Sequence, residues 1–240
     1  MSVKTLTIDG KMLTGVAGES VFSVAWHNQI RIPRLCHLGG VPDVGACRLC
    51  LVEVEGRSKL SASCMTEIEE GMVVRTDTEQ LREYRKLLLE LLFAEGNHVC
   101  AVCVSNGNCE LQDLATELGI DHVRVPYRHQ KRAVDLSHER FGLDLNRCIA
   151  CTRCVRTCDD VEGAHVWDMA GRGEKLHLVA DLGEPWGNSE NCTSCGKCVQ
   201  VCPTGALFTK GVGIGEMKKD RSFLKYIVYG RERHQWVKKP

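Results

Sequence analysis

CIACTRCVRTC at residues 148–158 and CTSCGKCVQVC at residues 192–202 share one spacing, C-x2-C-x2-C-x3-C. This pattern decides the fold of the segment around them. Three cysteines two residues apart curl a loop around one face of an iron–sulfur cubane. The fourth, expected to begin a helix pointing away, reaches the neighbouring cluster. The predicted ligand sets therefore cross: Cys148, Cys151, Cys154 and Cys202 for one [4Fe–4S] cluster, Cys192, Cys195, Cys198 and Cys158 for the other. The runs lie 44 residues apart and form an internal repeat. Pro203 follows Cys202 as the bacterial two-cluster pattern expects, whereas Asp159 follows Cys158. Paired C-x2-C also suits zinc, but zinc does not require this four-cysteine run twice.

Moving outward, the chain's 15 cysteines and His98 divide into four groups of four. Cys36, Cys47, Cys50 and Cys64 form C-x10-C-x2-C-x13-C. This reads as a [2Fe–2S] site with a longer first gap than the plant-type pattern, or as a structural zinc site. Gly45 and Ala46 are small enough to let backbone N–H groups approach the sulfurs. Cys100, Cys103 and Cys109 supply three ligands for a third [4Fe–4S] cluster. His98 is the expected fourth, since imidazole can replace thiolate on iron. Water, Glu95 or a three-iron cluster are the alternatives.

The 31 Lys/Arg balance 31 Asp/Glu, so no global field suggests nucleic acid. The first residues, MSVKTLTIDG, lack the apolar core of a signal peptide, and no apolar stretch is long enough to span a membrane. The expected location is the cytoplasm, where thiols stay reduced and clustered cysteines read as metal sites. An odd cysteine count also disfavours complete disulfide pairing.

The expected fold is α+β. Residues 1–78 read as a β-grasp [2Fe–2S] ferredoxin-like domain, with strands at 3–8, 12–15, 51–54 and 72–75 and a helix over 20–29 capped by Ser20. Residues 79–118 read as a helical His/Cys3 segment, with helices at 81–94, capped by Thr78, and 109–118. Residues 119–210 hold a polar connector, strand-like at 122–125, and the two-[4Fe–4S] ferredoxin-like domain. Residues 211–240 form a basic tail, with eight Lys/Arg against two acids from Met217 onward. Its Gly211-x-Gly213-x-Gly215 run lacks a dinucleotide fingerprint and reads as a flexible linker. Phe223, Leu224, Tyr226, Ile227 and Val228 interrupt the charges and offer a docking point for a partner. His37, beside Cys36, reads as a surface residue.

The order of modules resembles the N-terminal part of the large electron-transfer subunit of respiratory complex I, and of iron-only hydrogenases. GACRLCLVEV, NCELQDLA, NRCIACTRCVRTCDDVEG and CTSCGKCVQVCPTGAL carry the likeness, which extends through Phe208. A free-standing chain of this kind resembles the diaphorase iron–sulfur subunit of the bidirectional NAD-reducing nickel–iron hydrogenase. That resemblance implies a hetero-oligomer. Electrons would pass between an FMN- and NAD-binding diaphorase subunit and a hydrogenase small subunit, with FMN and NAD held by the partner. In complex I relatives the cluster histidine sits three residues before the first cysteine of its group; here only Val99 separates His98 from Cys100.

The expectation is thus a subunit of an oxidoreductase acting on hydrogen with NAD, with no catalytic residue on this chain. The rival readings are the same wire in an NAD-dependent formate dehydrogenase or a complex I-like enzyme, and a non-redox module with structural metals.

Overall fold

The computed structural model describes residues 2–232. Alternation in VKTLTI puts Leu6 and Ile8 on the buried side of β1 (Val3–Ile8). Asp9 and Gly10, both at positive φ, turn the chain tightly into β2 (Lys11–Val16). Ser20 caps α1 (Val21–His27) by accepting the Ser23 N–H. After the first cysteine loop come β3 (Leu51–Val54), β4 (Ser61–Ala62) and β5 (Met72–Arg75).

These strands form one sheet in the order β2-β1-β5-β3-β4, with β1 and β5 parallel and Leu6 opposite Met72. Val21, Phe22, Val24 and Ala25 of α1 pack with Leu6, Ile8, Val52 and Val74. A mixed sheet crossed by one helix is the expected β-grasp arrangement.

Thr78 caps α2 (Glu79–Glu95) through the Leu81 N–H. Its buried Arg85 donates to the carbonyls of Leu49, Leu51 and Thr76, pairing groups that would otherwise be buried without partners. Leu89 of α2, Leu111 and Leu114 of α3 (Glu110–Glu117), and Leu35 and Leu49 of the first cysteine loop share a small core. That loop is thereby fixed against the helices.

Residues 122–125 form no strand. They have no neighbouring strand to pair with, and Arg124 turns to Glu90. Strands appear later, as β6 (Val134–Asp135) and β7 (Phe141–Asp144). Then follow α4 (Arg153–Thr157), the hairpin β8 (Trp167–Ala170) and β9 (His177–Ala180), α5 (Lys197–Val201) and β10 (Leu207–Thr209). A second sheet runs β10-β7-β6.

The glycine run is not a free linker. The Gly215 and Met217 N–H groups donate to the Cys103 and Val104 carbonyls at 3.1 and 3.0 Å. The Lys219 ammonium donates to the Cys202 and Thr204 carbonyls. On α6 (Leu224–Glu232), Leu224 and Ile227, with Phe223 before them, pack on Leu38, Val41, Val161 and Val201 of this same chain. Arg231 ties the helix to the Gly40 and Asp160 carbonyls. Residues 211–232 are therefore a strap across the modules; Phe223, Leu224 and Ile227 are covered internally, while Tyr226, 38% exposed, stays at the surface. The rest of the basic tail, 233–240, lies outside the described residues. Among those described, no helix is long and apolar enough to cross a membrane.

Candidate metal centres

The two cysteine runs keep their symmetry in the backbone. Ala150 and Thr152 in the first, and Ser194 and Gly196 in the second, have positive φ (49°, 59°, 54° and 73°) at matching positions. A left-handed residue between ordinary ones turns successive N–H groups to one side, a nest for an anion. Three of the four are not glycine, so the bends cost about 1–3 kcal/mol each and must be held by what the loop encloses.

The fourth cysteines differ: Cys158 caps the end of α4 and begins a further helical turn, as expected of it, whereas Cys202 follows the end of α5 and begins no helix. Pro203, which has no N–H to donate, stops the chain after Cys202. Asp159 permits a further π turn, Cys158–Glu162, which ends at Gly163 with φ 75°.

Cys148, Cys151 and Cys154 line one apolar cavity together with Cys202, which comes from the other run. Cys158 instead joins Cys192 and Cys195 as electrostatic neighbours of Cys198. The structure thus brings Cys202 beside the first three cysteines of the other run, and Cys158 beside Cys192, Cys195 and Cys198. Burial pushes the Cys148 thiol up to about 12 and Cys151 up to about 11. Metal ligation requires thiolates, so a cation must supply the stabilisation that burial removes. Cys195 is the exposed member of its set.

The first group forms two close pairs. Cys50 and Cys64 sulfurs are 3.3 Å apart, and Cys36 hydrogen-bonds Cys47. The hydrogen bond within each pair pulls Cys47 and Cys50 down to about 7 and raises their partners. The Ala46 N–H approaches the Cys36 sulfur, and the Leu35 N–H lies 3.4 Å from Cys47 Sγ. His37, read as a surface residue, is half-buried and bound to Asp43 at 2.8 Å.

In the second group, burial pushes Cys109 up to about 11 and the His98 imidazole down to about 4, so its ring is neutral. His98 Nε2 is buried and has no hydrogen-bond partner. Arg147 lies beside both His98 and Cys103, with Nη1 3.4 Å from Cys103 Sγ.

The residues fit iron–sulfur clusters on two counts. Unpartnered buried polar atoms include His98 Nε2, Ser105 Oγ, Thr157 Oγ1 and Ser189 Oγ, each within three residues of a cysteine of these groups. Furthermore, among the described residues, no three His, Cys, Asp or Glu side chains converge on a single-ion position. Zinc gathers its sulfurs about 2.3 Å from one point, whereas a cluster takes thiolates spread around several irons.

Three arginines join the groups, and none was singled out from the sequence. Arg156 donates to the carbonyls of Cys36 (2.5 Å), Pro42 (2.8 Å) and Cys151 (3.3 Å). Arg153 grips Glu110 through both carboxylate oxygens, at 2.7 and 2.9 Å. Burial would push Glu110 up, but the Arg153 and Arg221 guanidiniums outweigh it and hold its carboxyl at about 2. Arg147 reaches the second group, as above. The available signal was two arginines inside TRCVRT, a segment otherwise made for burial.

Three families match in sequence order. A 2Fe-2S iron-sulfur cluster binding domain matches residues 3–79. The NADH-ubiquinone oxidoreductase-G iron-sulfur binding region matches 85–124. The NADH-quinone oxidoreductase subunit 3 ferredoxin-like domain matches 140–208. The chain is 36% identical over 214 residues to the gamma chain of the NAD-reducing hydrogenase HoxS of Cupriavidus necator, covering 89% of each. It is 36% identical to the mitochondrial NADH-ubiquinone oxidoreductase 78 kDa subunit of Candida albicans, and 38% identical to the HndD chain of the NADP-reducing hydrogenase of Solidesulfovibrio fructosivorans. It spans only 28% and 36% of those two proteins. A chain in a crystal structure of NAD+-reducing [NiFe]-hydrogenase in the H2-reduced state superposes with a TM-score of 0.82 at 36% identity, covering 88% of both chains.

Proposed function

The chain belongs to the family of the HoxS gamma chain of NAD-reducing hydrogenase, and from that premise we propose that it is the electron conduit between two partner subunits. One partner is a diaphorase subunit holding FMN and NAD; the other is a hydrogenase small subunit. Cys36, Cys47, Cys50 and Cys64 would hold a [2Fe–2S] cluster. His98, Cys100, Cys103 and Cys109 would hold a [4Fe–4S] cluster, and the two crossed sets one each. Bound there, iron–sulfur clusters supply one-electron redox chemistry.

This chain's residues do the rest. Apolar walls around Cys148, Cys151, Cys154 and Cys202 exclude water. The buried arginines hold the groups in register. Neutral His98 replaces a thiolate and lowers the negative charge of its site. Residues 1–78, 79–118 and 119–210 act as three cluster modules, followed by the basic tail 211–240. The observation that carries this reading is adjacency: one guanidinium, Arg156, contacts the backbones of Cys36 and Cys151, ligands of two different groups.

The test is anaerobic purification through a tag on this chain. The expected outcome is co-purifying FMN, nickel and NADH-dependent hydrogen activity, with no NADH or hydrogen oxidation by the chain alone. Molybdenum or a quinone-reducing module in place of nickel would move the chain to a formate dehydrogenase or a complex I-like enzyme.

A further inference from the structure

We propose that the indole N–H groups of Trp186 and Trp167 raise the reduction potential of the cluster assigned to Cys192, Cys195, Cys198 and Cys158. The inference rests on the ligand assignment above.

Trp186 is 1% exposed and its Nε1 lies 3.4 Å from Cys192 Sγ. Trp167 is 3% exposed and hydrogen-bonds Cys198 through its side chain. An indole can only donate, so once buried it must find an acceptor. Here both indoles take ligand sulfurs of one set.

The rings are held for that purpose. Trp186 meets Trp167 edge to face at 4.8 Å and stacks on Phe141 at 5.7 Å. The Val166 N–H adds a further donor, 3.4 Å from Cys158 Sγ. Reduction adds negative charge to the cluster and its thiolates. Donors fixed on those sulfurs therefore stabilise the reduced form more than the oxidised one.

The other half of the repeat has the same cysteine spacing, and among the described residues no indole donates to its sulfurs. Its sulfurs have backbone N–H groups, such as those of Ala150 and Arg153, and the Thr204 hydroxyl 3.7 Å from Cys202. Two sites that are alike in ligands are thus made unlike by their surroundings.

The test uses the full chain with its clusters, purified anaerobically and titrated reductively by EPR. A Cys195→Ser variant identifies the signal. Trp186→Phe removes the N–H and keeps the ring. The expected result is a tenfold weaker reduction equilibrium for that cluster alone, about 59 mV lower for a one-electron couple. Iron content should stay unchanged, and Trp167→Phe should shift the same signal. An unmoved midpoint at full iron content, or all clusters moving together, overturns the proposal while leaving the assignment standing.

Should the variants not assemble, ENDOR on the reduced wild-type chain carrying 15N-indole tryptophan decides. A 15N coupling with an exchangeable proton supports the proposal, and their absence overturns it. A wild-type chain without this cluster removes the assignment and the proposal together.

Discussion

Gly96 and Gly205 serve the same group of ligands by leaving space. A Cβ on Gly96 would stand 2.5 Å from His98 Nε2 and 2.8 Å from the Asn146 carbonyl oxygen; one on Gly205 would stand 2.6 Å from Cys103 Sγ. Gly96 has φ −93°, open to any residue, so the constraint is room and not backbone freedom. We expect Gly96→Ala and Gly205→Ala to lose the same cluster, with iron falling from about 14 to about 10 per chain. Full iron in both would contradict the placement of that site.

Glu110 is the second residue to change. Glu110→Gln weakens the clasp on Arg153, whose side chain is 2% exposed, and leaves a buried charge short of its partner. A loss of about 3 kcal/mol is expected, read as a lower urea midpoint for cluster release. At this scale the grouping of the cysteines was legible, because it is written in fixed intervals along the chain. The arginines were not, because Arg156 acts on the Cys36 carbonyl, 120 positions away.

Among elements, the strands and the longer helices followed from local signals. VKTLTI alternates, and Thr78 and Ser20 cap the helices that periodicity predicts. Three elements were misread, among them the strand-like patch at 122–125, which forms no strand. Cys202 ends α5 instead of starting a new helix, because Pro203 stops the chain there, whereas Cys158 both ends α4 and starts the π turn that continues it. The glycine run at 211–215 looked free because glycine signals backbone freedom, yet the Cys103 carbonyl captures Gly215. Strap helix α6 is the element to probe. Leu224 is 7% exposed against Leu38, Val41 and Val201. Leu224→Ala should cost about 2–3 kcal/mol and raise hydrogen exchange in α6 and around Gly40, with strands β1 and β5 unchanged. Unchanged exchange in α6 would mean that the strap is held by its charges alone.

For the whole molecule, the segments are joined by buried arginines and by apolar clusters that cross between them, Leu35 and Leu49 with Leu89, Leu111 and Leu114, and Leu38 and Val41 with Val201 and Leu224. The sequence shows the modules and their order, because each carries its own ligand pattern. It does not show how they meet, which depends on side chains reaching across the chain to backbone carbonyls. Arg156→Gln leaves the Cys36, Pro42 and Cys151 carbonyls without their donor. A loss of about 3 kcal/mol is expected, with the first module separating before the others in limited proteolysis. Simultaneous cleavage of all modules would assign the junction to other contacts.

The central claim is that four groups of ligands hold four clusters in one chain. Iron and acid-labile sulfide, counted per chain on anaerobically purified protein, test it most directly. One [2Fe–2S] and three [4Fe–4S] clusters predict about 14 iron atoms with an equal count of sulfide. A value of about 8 would leave only the crossed repeat as a cluster site and contradict the four-cluster conduit.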